Sequence, residues 1–298
     1  MELNGLHLLL SYQCTFECDH CFVWGSPFQS GTMTLETIRI ILNQAKETGS
    51  VEWIYFEGGE PFLYYQVMLA GINHAIDLGF KVGIVTNSYW ATSEEDAYLW
   101  LSPLVGKVQD LTISSDLFHF SEKVSQQSIN VTSVANHLNI PLGIICIEQL
   151  ENPAISSIGQ IPPDASSIMY RGRAADKLAN KTTLHPASIF VECPHENLKD
   201  PGRVHIDPFG NMHICQGISI GNINSSSIRE ICRNFNPINH PLIGPLLDGG
   251  PVNLTKQYNL SRMDMYADAC HMCYEVRKQL REMFPDILLP DQMYGIFK

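Results

Sequence analysis

Short apolar runs alternate with amphipathic stretches along the first half of the chain. Positions 6–12, Leu-His-Leu-Leu-Leu-Ser-Tyr, read as a short buried strand, and a loop with three cysteines follows. Thr34 is placed to cap a helix whose apolar face is Leu35, Ile38, Ile41, Leu42 and Ala45, and Gly49 ends it. Apolar runs at 51–56, 80–86, 108–114 and 142–147 predict four more strands. Helical spacing at 67–78, from Ser93 towards Leu101 and over 121–138 predicts the helices between them. A short helix at 155–158 and a sixth strand at 167–171 close the series. This alternation predicts parallel βα units, an α/β fold closed as a partial or full barrel or open as a doubly wound sheet. In either arrangement the chemistry belongs at the carboxyl ends of the strands.

The rhythm changes near residue 185. Segments 204–207 and 212–215 flank Pro208-Phe209-Gly210-Asn211 and predict a β-hairpin. A short helix is expected at 226–235 and a last one at 271–284, separated by a stretch rich in proline and glycine. The expected division is a core over 1–185 and a small α+β domain over 186–298.

Composition narrows the function classes. With 45% hydrophobic and 17% charged residues, the chain of 298 residues is globular rather than disordered. Its net charge of −12 argues against nucleic acid as a partner. No apolar run approaches the roughly 20 residues of a membrane span, and Glu2 sits where a secretory signal carries positive charge. A cytoplasmic protein with no membrane partner is the expectation. The nine cysteines do not read as a disulfide framework, since their number is odd and the chain looks intracellular.

Three of them, Cys14, Cys18 and Cys21, crowd the loop after the first strand. Three thiolates on one tight loop can hold a four-iron cluster with one iron left open. They can also form a zinc knuckle with a further ligand such as His20, or be buried as small hydrophobes. Context favours the first. Cys14-Thr15-Phe16-Glu17-Cys18-Asp19-His20-Cys21 after a first strand, with Gly58-Gly59-Glu60-Pro61 at the end of the second, resembles the radical S-adenosylmethionine (radical SAM) superfamily. The resemblance implies a partial (β/α)6 barrel and a [4Fe–4S] cluster on the three cysteines, its open iron chelated by SAM. It implies that Gly58, Gly59, Glu60 and Pro61 bind the SAM amino group, with Glu60 as acceptor, and that His20 lies near the adenine.

Other positions fit the same frame. Asn87 ends the third strand where relatives often read Thr-Asn-Gly, although Ser88 replaces the glycine here. Ser114 ends the fourth strand, where polar side chains meet SAM; the alternative for it is a cap or turn. Arg171 and Arg173 are candidates for the SAM carboxylate, or for surface salt bridges.

Cys270 and Cys273 form a two-ligand clip at a helix start, and Cys193 and Cys215 are the natural completing pair. The stretch from Asp207 to Ile223 resembles the SPASM and twitch extensions of radical SAM enzymes, which carry auxiliary [4Fe–4S] clusters. Four cysteines suffice for one cluster, which favours a twitch-like domain; a four-thiolate zinc site is the competing reading. Cys146 and Cys232 sit on apolar patterns and are assigned to the core. With both clusters the charge would be about −15 before SAM, so an anionic substrate needs a local basic site, and Arg171 and Arg173 are the first place to look.

The resemblance implies a mechanism. An external donor such as flavodoxin or ferredoxin reduces the first cluster, SAM is cleaved to a 5′-deoxyadenosyl radical, and that radical takes a hydrogen atom from the substrate. An auxiliary cluster then accepts an electron, completing a dehydrogenase-like oxidation. Asp116, Glu57 and His119 are the candidate bases. Only 13 residues precede Cys14, which favours a small-molecule substrate over one recognised through a leader peptide. Peptide or protein modification is the second reading, and a non-catalytic cysteine-rich metal module the third.

Overall fold

The computed structural model describes residues 1–120, 125–147 and 167–297. Its centre is a sheet whose first five strands are parallel: β1 (Gly5–Ser11), β2 (Trp53–Gly58), β3 (Lys81–Thr86), β4 (Asp110–Ser114) and β5 (Leu142–Ile145). Helices α1 (Leu35–Thr48), α2 (Tyr65–Asp77), α3 (Glu94–Leu101) and α4 (Gln126–His137) make the crossovers. The predicted caps form: Thr34 Oγ1 accepts from the Thr37 amide at 3.1 Å, and Gly49 takes the left-handed conformation at φ 79°.

Beyond β5 come α5 (Arg173–Lys177), β6 (His185–Pro186), β7 (Arg203–Ile206), β8 (Asn211–Cys215) and β9 (Ile218–Asn222). Then follow α6 (Ile228–Asn234), α7 (Ile243–Leu247), α8 (Gly250–Gln257), β10 (Met265–Tyr266) and α9 (Ala269–Leu280). The predicted sixth strand does not form: 167–171 makes no sheet ladder, although the Arg171 amide donates to the Met169 carbonyl at 2.8 Å. The sixth parallel strand is β7, which pairs with the open edge of β1, and β8 and β9 continue the sheet antiparallel. Strands from either side of residue 186 therefore share one sheet. The helix expected at 155–158 and the start of that expected at 121–138 lie outside the described residues.

The two faces of the sheet differ because side chains alternate along each strand. Leu6, Leu8, Leu10, Ile54, Phe56, Val82, Ile84, Leu111 and Ile113 are fully buried in one core with Ile38, Ile41 and Leu42 of α1 and Met68 and Ile72 of α2. Each such side chain contributes about 1.5–3 kcal/mol. The other face carries His7, Tyr55, Glu57, Asp110 and His205. Tyr55 lies across Gly83, where an added Cβ would come within 2.2 Å of the ring, and its hydroxyl donates to Asp110 at 2.8 Å. A second core joins Leu9, Tyr12 and Val23 to Ile214, Ile218, Met272, Tyr274 and Val276. The C-terminal turn at 291–294 packs there, the Tyr294 hydroxyl donating to the Gly217 carbonyl at 2.8 Å, and does not line the cavity described next.

Candidate active site

At the carboxyl ends of the strands lies a cavity of about 300 Å³. Cys14, Cys18 and Cys21 line it together with His20, Gly58, Gly59, Asn87, Ser114, Asp116 and Arg171, residues from five separate stretches of the chain gathered at one end of the sheet. The double glycine explains how the cysteine loop seats there. The Gly59 amide donates to the Ser11 carbonyl at 2.6 Å and the Glu60 amide to the Gln13 carbonyl at 2.9 Å. A Cβ on Gly59 would lie 2.1 Å from the Gln13 oxygen, so any larger residue would push the cysteine loop off the strand end.

The thiols are placed for thiolate ligation. The Gly25 amide donates to Cys21 Sγ at 3.2 Å, and the Phe16 amide and Asn87 Nδ2 each reach Cys14 Sγ at 3.5 Å. Burial nevertheless pushes the Cys14 thiol up to about 12, and Cys18 rises as well, because burial disfavours charge and the neighbouring thiols add to it. Three thiols that border one space, with amide donors behind Cys14 and Cys21, fit a cationic metal cluster. Asn87 keeps its reach despite the missing glycine, because Ser88 itself adopts the left-handed conformation at φ 62°.

Glu60 and Pro61 lie behind the cavity rather than in its lining. Glu60 is fully buried, does not line the cavity, and its carboxylate accepts from the Phe62 amide (3.0 Å), the Thr86 hydroxyl (2.8 Å) and the Asn87 amide (2.8 Å). It ties β2 to the end of β3 and so positions Asn87. Burial raises its carboxyl to about 7 despite these donors. Pro61 opens the short turn at Pro61–Tyr64 and is buried away from the cavity.

Asp116 accepts from the amides of Phe118 and His119 and from His119 Nδ1 at 2.7 Å. Burial pushes its carboxyl up, but His119 outweighs that and holds it below the usual range. Its second oxygen and His20 Nδ1 are buried without a partner among the described residues. Burial lowers His20 to about 4, so its ring is a neutral surface, set 4.7 Å from Phe118. The aromatic lining of the cavity is Phe16 and Phe22, whereas Trp24 and Trp90 are buried in the cores or their margins. Glu57 lies between His7 Nδ1 (3.1 Å) and His205 Nε2 (2.9 Å). Burial acts to raise its carboxyl, and the two imidazoles overcome it and hold it well below the carboxylate range.

The arginines also differ from expectation. Arg173 does not line the cavity; it donates to the carbonyls of Cys18 and Gly25, both at 2.8 Å, and clamps the cysteine loop from behind. Arg171 lines the cavity and pairs through Nη1 with Glu196 at 3.0 Å.

Arg171 has a second neighbourhood. It lines, with Arg277, a small space bounded by Cys193, Cys215, Cys270 and Cys273, and its Nη1 lies 3.6 Å from Cys215 Sγ. Four cysteines from the loop before β7, the end of β8 and the first turn of α9 thus border one space. Burial pushes Cys273 up to about 11 and raises Cys193 and Cys270 too. Cys146 and Cys232 are buried apart from both groups. The partners Glu196, Arg277, Thr86, His7 and His205 escape sequence reading, since each acts through contacts between distant segments. Only the alternation Arg203-Val204-His205-Ile206 hints that His205 faces inward.

Residues 8–105 match the family model described as the radical SAM superfamily. The chain is 34% identical over 82 residues to an S-adenosylmethionine-dependent nucleotide dehydratase of Selenomonas ruminantium, covering 28% of this chain and 29% of that protein. It is 27% identical over 111 residues to YydG of Bacillus subtilis (strain 168), a protein named for peptide biosynthesis, covering 37% of this chain and 35% of that one. The matches thus span about a third of these relatives. The solved structure of BtrN in complex with AdoMet and 2-DOIA shares the fold, with a TM-score of 0.51 at 15% identity over 78% of this chain and 83% of that one. Among the described residues no helix is long and apolar enough to cross a membrane. The cysteine loop, the double glycine that seats it, the parallel sheet beneath both and the family model together support the radical SAM superfamily for this chain.

Proposed function

We propose that the chain is a radical SAM oxidoreductase acting on a small molecule, with one [4Fe–4S] cluster on Cys14, Cys18 and Cys21 and an auxiliary [4Fe–4S] cluster on Cys193, Cys215, Cys270 and Cys273. The observation that carries this reading is Arg171, whose side chain borders both the cavity and the four-cysteine space. When bound, the first cluster and SAM supply a 5′-deoxyadenosyl radical, with electrons from a donor such as flavodoxin or ferredoxin, and the second cluster an electron acceptor for a dehydrogenase-like oxidation.

The chain's own residues do the rest. Asn87 and the loop amides support the thiolates, and the backbone at Gly58 and Gly59 leaves room for the SAM amino group. His20 offers a neutral face, Ser114 a hydroxyl, and the ionised Asp116, tied to His119, an acceptor for the substrate proton. Phe16, Phe22 and Ile145 keep that end of the cavity apolar, which limits water.

A peptide substrate is the second reading, favoured by the similarity to YydG. Anaerobic reconstitution followed by SAM, reductant and metabolite fractions separates them. The proposal expects about eight iron per chain and 5′-deoxyadenosine released with a small molecule and no peptide. Release only with peptide overturns the substrate class, and about four iron with zinc overturns the auxiliary cluster.

A further inference from the structure

The inner face of the sheet holds a second donor set, remote from the thiols in chemistry and built on three adjacent strands. His7 of β1 stands opposite His205 of β7, and Glu57 of β2 is level with Leu9, one step along the same face. One ligand atom from each of the three lies within 4.8 Å of the others. The carboxylate meets the two imidazoles at 3.1 and 2.9 Å. Donor atoms held at right angles about 2.1 Å from one metal ion are about 3.0 Å apart, so the spacing already matches a coordination edge.

The set is also held by aromatic neighbours, and one member reaches the cavity. Tyr55 stacks on His7 at 4.6 Å between centroids and is itself anchored to Asp110, which fixes the imidazole plane. Phe22 lies 5.9 Å from the His205 ring. Side-chain exposure is only 17, 12 and 13% for His7, Glu57 and His205, and Glu57 lines the large cavity. Two imidazoles and a carboxylate are a donor set that suits a first-row metal ion.

We propose that His7, Glu57 and His205 bind one divalent first-row metal ion between β1, β2 and β7, beside the cavity that Glu57 borders. The site uses none of the cysteines, and it stands whether or not SAM is cleaved.

The test titrates Mn2+ into the full chain after anaerobic iron–sulfur reconstitution and desalting, following the free-ion EPR signal. We expect about one tightly bound Mn2+ per chain, displaced by Zn2+. Electron-spin-echo spectra of the unsubstituted protein should show nitrogen coupling from two imidazoles, a readout that needs no variant. Glu57→Gln and His205→Ala should each weaken Mn2+ binding at least roughly tenfold. Absence of a tight site, bound Mn2+ without nitrogen coupling, or unchanged affinity in both variants overturns the proposal.

Discussion

The two cysteine groups share a ligand type and little else. The first puts three thiols on one loop of eight residues, Cys14 to Cys21, against an open cavity. The second collects four thiols from three separate segments around a small space, with Arg171 and Arg277 at its border. Three donors leave a group open to a further ligand, whereas four close it. The open group's thiols accept from the amides of Phe16 and Gly25 and from the Asn87 side chain, with the Arg173 guanidinium behind the loop, while in the closed group a guanidinium lies beside a thiol itself, Arg171 Nη1 at 3.6 Å from Cys215 Sγ.

The sharpest way to break this contrast is to remove one thiol from each group. Cys18→Ser should reduce SAM cleavage to background and lower iron from about eight to about four per chain. Cys270→Ala should cause the same loss of iron but leave reductive SAM cleavage within several-fold of the parent, while product formation stops. The 5′-deoxyadenosine yield and product yield, measured side by side, decide it. If Cys270→Ala abolishes SAM cleavage as fully as Cys18→Ser in a folded protein, the two groups are not functionally distinct.

A smaller effect is expected behind the open group. Arg173 is buried and donates two charge-assisted hydrogen bonds to loop carbonyls. Arg173→Met should cost about 3 kcal/mol, seen as a lower urea midpoint, and the iron of the first group should be lost faster on incubation. Loss of iron from the closed group instead would show that the arginine does not serve the cysteine loop.

How much of this could be read beforehand follows the distance over which each signal acts. Both cysteine groups, the double glycine and the strand–helix alternation are local patterns, and the alternation led to the five strands from β1 to β5. The sixth parallel strand was misplaced because 167–171 has strand-like composition, whereas the edge of β1 is filled by β7, a choice of pairing that no local window reports. Glu60 and Arg173 had plausible roles at a cavity and instead satisfy buried backbone groups. Ser88 is the converse case. The missing glycine puts a role for Asn87 in doubt, yet the serine accepts φ 62° in place of it. Ser88→Gly should therefore stabilise the protein, by about 1 kcal/mol in thermal or urea unfolding, with Asn87 undisturbed. Destabilisation would mean that the hydroxyl contributes more than the strained backbone costs.

The smallest effect concerns the closed group and acid. His240 Nδ1 accepts from the amides of Leu242 and Ile243, both at 3.2 Å, at the start of α7, and α7 presents Leu246 to the four-cysteine space. Burial lowers this imidazole from 6.5 to about 4. The unfolded chain therefore takes up a proton as pH falls through 6.5, while the folded chain resists until about 4. The stabilisation is complete above 6.5 and lost progressively below it. His240→Asn keeps an acceptor for the amides and removes the titration. Its urea midpoint should fall less than the parent's between pH 7 and pH 4.5. The same acid step should release iron from the four-cysteine group of the parent before that of the cysteine loop, and the asparagine variant should narrow that gap. An unchanged pH slope would place the acid sensitivity elsewhere and remove α7 as the element that sets the two groups apart.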